Sequence, residues 1–469
     1  MIVKRHSIFI FAIASLSLCV SSCPIFFDLL LPMVHGGGAR NTGSTVSSGK
    51  SVEEPFYEKE VVWSAEFDFF TNYGNPFADG KYGYYPANHY QNENRSCIIK
   101  MDFETGAVVW TTPPVGHGLT ASPFKIGRYV YLPMNDGGAM YVYHDESGAL
   151  AATVSFGPDE TTAKNNGSIS YHVAVSGDYV FWCNSQSDPG YKKRGLMRFD
   201  TGLIDFSKNP AEPQAITPRL IWERWHNEKN PMLIATNIAA EDGVVYFLTV
   251  THAYYNPDWV SLLVALDAET GEEKWVRPVP PAYGDRLFSL VPDGERIHVL
   301  DMAPCSYNKA DGSVIYENDF RTVDITQEGY RDAAWSLDGA TLSNGKLYYT
   351  SGQHEGDYAD RPNRKPGSVA NILCLDPATG LLVWGALSPG RGSLCGTFPL
   401  VSNGKLYIVV PYTGLRVYDA ETGALLGVDS SVFTLIGSGY NFMYRDMFVF
   451  IDEISYDSDK IKITAIRCR

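Results

Sequence analysis

Much of what marks a catalyst is missing from this sequence. No two of its eight cysteines are adjacent or spaced C-x-x-C, which argues against a structural zinc site. G-x-S-x-G, H-E-x-x-H and a G-x-G-x-x-G after a strand do not occur either. Positive charge is scarce. Lys and Arg number 38 against 53 Asp and Glu, for a net charge of −15, and no basic patch interleaves with aromatics, so nucleic acid is a poor match. Beyond the N-terminus there is no apolar run of membrane-spanning length, which excludes a polytopic membrane protein. What is present is apolar and aromatic: 45% hydrophobic residues, 13% aromatic and 29 Tyr, enough to exclude disorder over most of the chain. With 43 Gly and 27 Pro, that composition favours strands and turns. A chain of 469 residues exceeds one ordinary core, unless it is a single large repeat domain.

The first 22 residues read as an export signal. Lys4 and Arg5 form the charged region, and Ile8 to Leu18 form an apolar stretch too short to span a bilayer. Val20-Ser21-Ser22-Cys23 follows, with small residues before a cysteine, as in a bacterial lipobox. Cys23 is therefore the expected lipidation site, and an ordinary signal with a nearby cleavage site is the alternative. Pro24 to Val34 is apolar again, so an uncleaved anchor from Ile8 to Val34 is a further alternative. Pro24, Asp28 and Pro32 interrupt it. Residues 23–52 read as a lipidated cysteine and a flexible Gly/Ser-rich tether, and 53–469 as the folded domain. The expected location is the bacterial cell envelope, lipid-anchored in the outer membrane and facing the periplasm or the surface. Beyond the signal and Cys23 there remain Cys97, Cys183, Cys305, Cys374, Cys395 and Cys468, expected as buried structural thiols although an exported compartment permits disulfides.

The folded domain is one repeat. An apolar run, then D-x-x-T-G-x-x-x-W, appears at Ile98–Trp110, Val264–Trp275 and Ile372–Trp384. Weaker copies lie at Val417–Gly427, Val142–Ala152, Tyr307–Tyr316 and Leu196–Gly202. The phrase has the physics of strand, tight turn and strand: Gly takes positive φ, and Asp and Thr satisfy the turn backbone. Before each copy a β-rich run starts at Gly80, Gly127, Gly177, Gly243, Gly294, Gly345 or Gly404, with an eighth at Arg445. Units recurring at roughly fifty residues predict four-stranded blades around a central channel. The fold class is all-β, an eight-bladed β-propeller with seven blades as the alternative. The eighth unit lacks a fourth strand, which Lys59–Phe67 supplies from the other end of the chain with Trp63 in place, so the terminal strands pair and close the ring.

The D-x-x-T-G-x-x-x-W phrase resembles the tryptophan-docking repeat of the pyrroloquinoline-quinone (PQQ) repeat family, which includes quinoprotein dehydrogenases and BamB-type outer-membrane assembly lipoproteins. The resemblance covers residues 53–469. It implies that Trp63, Trp110, Trp275 and Trp384 dock neighbouring blades, unevenly, because Ala152, Tyr316 and Gly427 stand where other copies have Trp. It also implies a non-catalytic, protein-binding scaffold, with outer-membrane protein assembly as the specific role and envelope proteins, including the assembly machinery, as partners. A surface-exposed protein that binds a ligand or polysaccharide is one alternative. A PQQ- and Ca²⁺-dependent dehydrogenase is another, although the adjacent cysteine pair typical of those enzymes is missing. No cofactor or metal is assigned, and the ring is expected to be monomeric.

Six polar residues fall where connections of one face are expected. His89, His252 and His354 each lie nine residues after the Gly of their run, and the same offset gives Asp136. His117 and Arg391, each between glycines, follow Trp110 and Trp384 by seven. Together they are candidates for binding an anionic ligand or a partner, with Arg391 the foremost. Polar loop residues spread around a wide ring are the plainer explanation. Three insertions, Leu203–Arg219, Glu317–Arg331 and Gly352–Ser368, are further places where binding could reside.

Overall fold

Copies of the repeated phrase fold into one hairpin. In the computed structural model the apolar run and the residues after the turn pair as Arg95–Asp102 with Val108–Thr111, Ser261–Asp267 with Glu273–Val279, Ile372–Leu375 with Leu382–Ala386, and Gly414–Asp419 with Leu425–Asp429. A glycine N–H closes each turn onto the carbonyl four residues back. Gly106 reaches Asp102 at 2.8 Å, Gly271 Asp267 at 2.9 Å, and Gly380 Asp376 at 2.7 Å. The turn carboxylates accept from within the turn: Asp419 takes both the N–H and the hydroxyl of Thr422, and these bonds hold it below the usual carboxylate range. The structure describes residues 59–468 except 68–69, 72–75, 90–94, 117–121, 135–137, 160, 164–168, 185–194, 224, 228–229, 235–237, 252–260, 280–288, 301–303, 318–335, 352–371, 387–398, 411–413, 430–440 and 456–459.

The strands assemble into eight antiparallel sheets, the blades of a propeller, within the compact unit Glu54–Gln186 and Gly190–Arg469. Blades 1 to 7 span 77–111, 124–155, 169–222, 239–279, 289–317, 336–386 and 400–429 in order. Blade 8 combines 442–468 with the first described strand: Lys59–Phe67 runs antiparallel to Lys460–Cys468, from Lys59 opposite Cys468 to Phe67 opposite Ile461. The first strands of successive blades touch one another from blade 3 to blade 8, so they line the axis and the fourth strands form the outer wall. Between blades the sheets meet face to face through apolar side chains. Tyr85, Ile99 and Met101 of blade 1 pack on Val449, Ile463 and Ala465 of blade 8, and Phe181 and Leu196 of blade 3 on Val245 and Phe247 of blade 4. Alternation along each strand feeds both faces, which is why these runs are apolar almost throughout.

The two-residue turns joining first and second strands carry the glycines that open the β-rich runs. Asp242 with Gly243, Asn344 with Gly345 and Asn403 with Gly404 all have positive φ, the primed turn whose twist suits a hairpin. In blade 8 the left-handed residue is Arg445, at φ 57°.

Three features depart from the plain repeat. Gly202 is not left-handed. Thr201–Leu203 is a short 3₁₀ turn capped by the Asp200 side chain, so this worn copy differs from the others in its turn. Blade 2 gains a fifth strand, because Gln214–Ala215 from the insertion after Leu203 adds parallel to Leu150–Ser155. Blade 4 gains a hairpin, Trp225–Asn227 with Asn230–Ile234, whose second strand pairs with Val244–Thr251.

Candidate functional site

His89 ends the strand Tyr82–His89, opposite Arg95 in the ladder. His117, Asp136, His252, His354 and Arg391 lie outside the described residues, as do Cys23 and the insertions at 318–335 and 352–371. The described polar chemistry is concentrated at the junctions between blades and beside the axis.

The junctions share one acceptor, the carbonyl of the residue that follows the first position of the turn. Trp63 of blade 8 donates its indole N–H to Phe103 of blade 1 at 2.8 Å. Trp110 donates to Asp145 at 2.8 Å, Trp275 to Lys309 at 2.8 Å and Trp384 to Ala420 at 3.1 Å, each from one blade to the next. The ring of each indole lies on the turn glycine. A Cβ added at Gly106, Gly148, Gly312 or Gly423 would come within 2.5 to 2.8 Å of Trp63, Trp110, Trp275 or Trp384. Two further junctions keep the acceptor and change the donor: Arg198 reaches the Ala268 carbonyl and Arg296 the Pro377 carbonyl, both at 3.2 Å. Motif reading finds the tryptophans but misses these arginines, because Arg198, in the worn copy Leu196–Gly202, and Arg296, in the run from Gly294, stand at positions that neither phrase marks.

The junction of blades 2 and 3, with Ala152 in the Trp position, is covered by the insertion. Ile204 and Ile216 join the core of Phe156, Val180 and Trp182, Phe206 stacks on Tyr129 at 4.1 Å, and Thr153 donates to the Pro210 carbonyl at 2.8 Å. Gln214 holds the strap to itself through two 2.9 Å bonds with the Asp205 backbone. An insertion that reads as a possible binding loop therefore braces the ring along these contacts.

A cavity of about 670 Å³ is lined by the first strands of blades 1 to 3, with Phe77, Phe124 and Val173 as apolar wall and Asp79 and Lys125 as its charges. Lys125 Nζ bridges Asp79 at 2.5 Å and Asp145 at 2.8 Å. Asp145 also accepts from Lys100 Nζ and from the Tyr84 hydroxyl, each at 2.6 Å. Lys100 is buried under the Tyr82 ring, 4.3 Å from its centroid. Burial would raise the Asp145 carboxyl, but bonds from Lys100, Lys125 and Tyr84 hold it below the usual range. The network is a two-lysine, two-aspartate balance that ties blade 1 to blade 2. One trace of it is legible in the sequence: in the copy at Val142–Ala152 the acid is displaced by one residue, His144 taking the turn position and Asp145 the next.

Cys97, Cys183, Cys305 and Cys374 are buried thiols that form no disulfide among the described residues. Burial pushes Cys97 and Cys374 up to about 12, so neither is a nucleophile near neutral pH. Among the described residues no three His, Cys, Asp or Glu side chains group to hold a metal ion, so none of them is assigned to Ca²⁺.

No protein-family model matches the sequence, and no curated protein matches it. Solved structures do match in fold. A quinohemoprotein alcohol dehydrogenase from Comamonas testosteroni superposes with TM-score 0.56 at 13% identity, over 87% of this chain and 76% of that one. A europium-containing methanol dehydrogenase gives 0.59 at 12%, over 87% and 93%. BamB from Moraxella catarrhalis gives 0.51 at 10%, over 87% and 97%. The chain thus has the propeller fold of quinoprotein dehydrogenases and of BamB.

Proposed function

We propose that this chain is a lipid-anchored scaffold of the bacterial envelope that binds proteins and does no chemistry of its own. The support comes from one combination: a lipobox-like Cys23 ahead of a ring whose described ionic and hydrogen-bonding side chains are engaged largely within the ring itself. Lysines, aspartates and arginines that an enzyme would aim at a substrate here join blade to blade. The fold likeness to BamB favours envelope proteins as partners, with outer-membrane protein assembly as the specific role. In this reading Arg391, His117, His89, His252 and His354 are the candidate contact residues, and the acidic net charge of −15 selects partners with basic surfaces.

The test is cross-linking of the tagged full chain in its native cells, followed by identification of what is attached. Recovery of outer-membrane assembly components, lost in Arg391→Glu, supports the scaffold. Recovery of none, together with a higher melting temperature on adding PQQ and Ca²⁺, would replace it with the dehydrogenase. Cys23→Ala should move the protein from the membrane fraction to the soluble one. Retention in the membrane would remove the lipid anchor from the proposal.

A further inference from the structure

The interface of blades 5 and 6 differs in kind from those sealed by tryptophan. Tyr316 stands in the Trp position of the fourth strand, Val314–Glu317. Its cross-strand neighbour is Ser306, whose own neighbour on the second strand is His298. This row looks toward blade 6. Leu300, on the same side of its strand as His298, packs with Leu347, Leu373 and Leu375, and Arg296 bonds the Pro377 carbonyl. Where other junctions present an indole, blade 5 thus presents a hydroxyl, an imidazole and a phenol.

His298 is fully buried, with 0% of its side chain exposed. Nδ1 lies 3.1 Å from the Tyr316 hydroxyl and Nε2 lies 3.4 Å from Asp293 Oδ2. The neutral ring satisfies both contacts, donating from Nε2–H to the carboxylate and accepting the tyrosine proton at Nδ1. A second proton would turn Nδ1 into a donor, so the Tyr316 hydroxyl would have to reverse, accept from Nδ1–H and turn its own proton away from the imidazole. The charged groups facing the imidazole are Asp293, Arg296 and Lys309; Asp376 of blade 6, with Cys305, acts on Tyr316. The Ser306 hydroxyl is buried and has no hydrogen-bond partner among the described residues.

We propose that the blade 5/6 junction is a pH-sensitive seam, where the ring loosens first on mild acidification because protonation of His298 puts a charge into a fully buried site and reverses its bond with Tyr316. Burial disfavours the imidazolium, Asp293 favours it, Arg296 and Lys309 oppose it, and the result lies below the ordinary 6.5. The folded ring therefore binds this proton more weakly than the unfolded chain does. The stability involved is complete above pH 6.5 and falls as pH drops below it, levelling off beneath the folded-state value. Carboxylates held low, such as Asp102 and Asp145, lose their contribution only in a more acidic window, below the ordinary 3.8.

The experiment is hydrogen exchange of the full chain at pH 7.5 and 5.5, corrected for the intrinsic pH dependence of exchange. Segments 296–300 and 346–350 should lose severalfold more protection than 97–101 and 461–466 at the blade 8/1 junction, short of the ceiling of about tenfold that one group of ordinary value 6.5 can give over this span. His298→Gln should abolish the difference. Asp293→Asn, at a partly exposed position, should enlarge it, because the imidazolium loses its one favourable charge. Equal loss at both junctions, or an unchanged difference in His298→Gln, would overturn the seam. If His298→Gln does not fold, Asp293→Asn decides alone, and an unaltered pH dependence there overturns it equally.

Discussion

Six of the eight junctions in this ring are of two kinds. Between blades 8 and 1, 1 and 2, 4 and 5, and 6 and 7, one tryptophan covers a glycine turn and bonds its carbonyl. Between blades 3 and 4 and blades 5 and 6, an arginine takes the carbonyl; at the first of these Ile221 covers the Gly271 turn, and at the second Tyr316 replaces the indole. The constant element is the acceptor, because an unpaired carbonyl at a buried junction costs more than any one donor is worth. The donor is free to vary, and so is the apolar cover. Worn repeats are therefore tolerated wherever another strand can supply an N–H.

The comparison is broken most severely by removing an indole. Trp110→Ala should cost about 3–5 kcal/mol in denaturant unfolding, since it opens a cavity and orphans one bond to the Asp145 carbonyl. A loss under about 1 kcal/mol would show that docking is ornamental. Next comes the glycine beneath an indole. Gly423→Ala meets Trp384 at 2.5 Å with φ at +73°, and should cost about 3 kcal/mol. Gly404→Ala has φ +72° but open space around its Cβ, so it should cost only about 1 kcal/mol. Equal melting temperatures for the two variants would refute the packing account. Arg296→Met keeps the apolar stem and loses the donor, with an expected cost of about 1–3 kcal/mol. The smallest effect belongs to Arg445→Gly. It relieves a left-handed residue worth about 1 kcal/mol and gives up an exposed ion pair to Glu104 worth no more than about 1, so stability should stay within about 1 kcal/mol of the parent.

The fold was legible because its determinants are local and repeated. Asp, Thr and Gly mark the turn, apolar runs flank it, and the chain ends at Trp63 and Lys460–Cys468 complete each other's blade. Contacts built once were not legible. The strap at Gln214–Ala215, the Arg198 and Arg296 bonds and the Lys100–Asp145–Lys125 network join residues 70, 81, 45 and 20 positions apart without a recurring signature. The insertion after Leu203 was recognisable as extra length, but only its placement against Ala152 reveals it as a brace. His89, His252 and His354 were singled out by their offset from repeat glycines, and His117 and Arg391 by their offset from Trp110 and Trp384; apart from His89, which ends its strand, they lie outside the described residues.

The pairing of Lys59–Phe67 with Lys460–Cys468 sets the order of events in biogenesis. Ser64 and Thr464, hydrogen-bonding neighbours in the finished ring, are 400 positions apart, so this contact cannot form until the seven blades between them have been made. The four core strands of every other blade come from a contiguous stretch and can form as it emerges, with blade 2 adding Gln214–Ala215 later; blade 8 waits for the nine-residue strand Lys460–Cys468. Until then the arc has two raw edges, and the first strand has no sheet to join. A chain cut short by a single strand would forfeit the clasp of the whole circle, and a lesion at either terminus would be felt at the other.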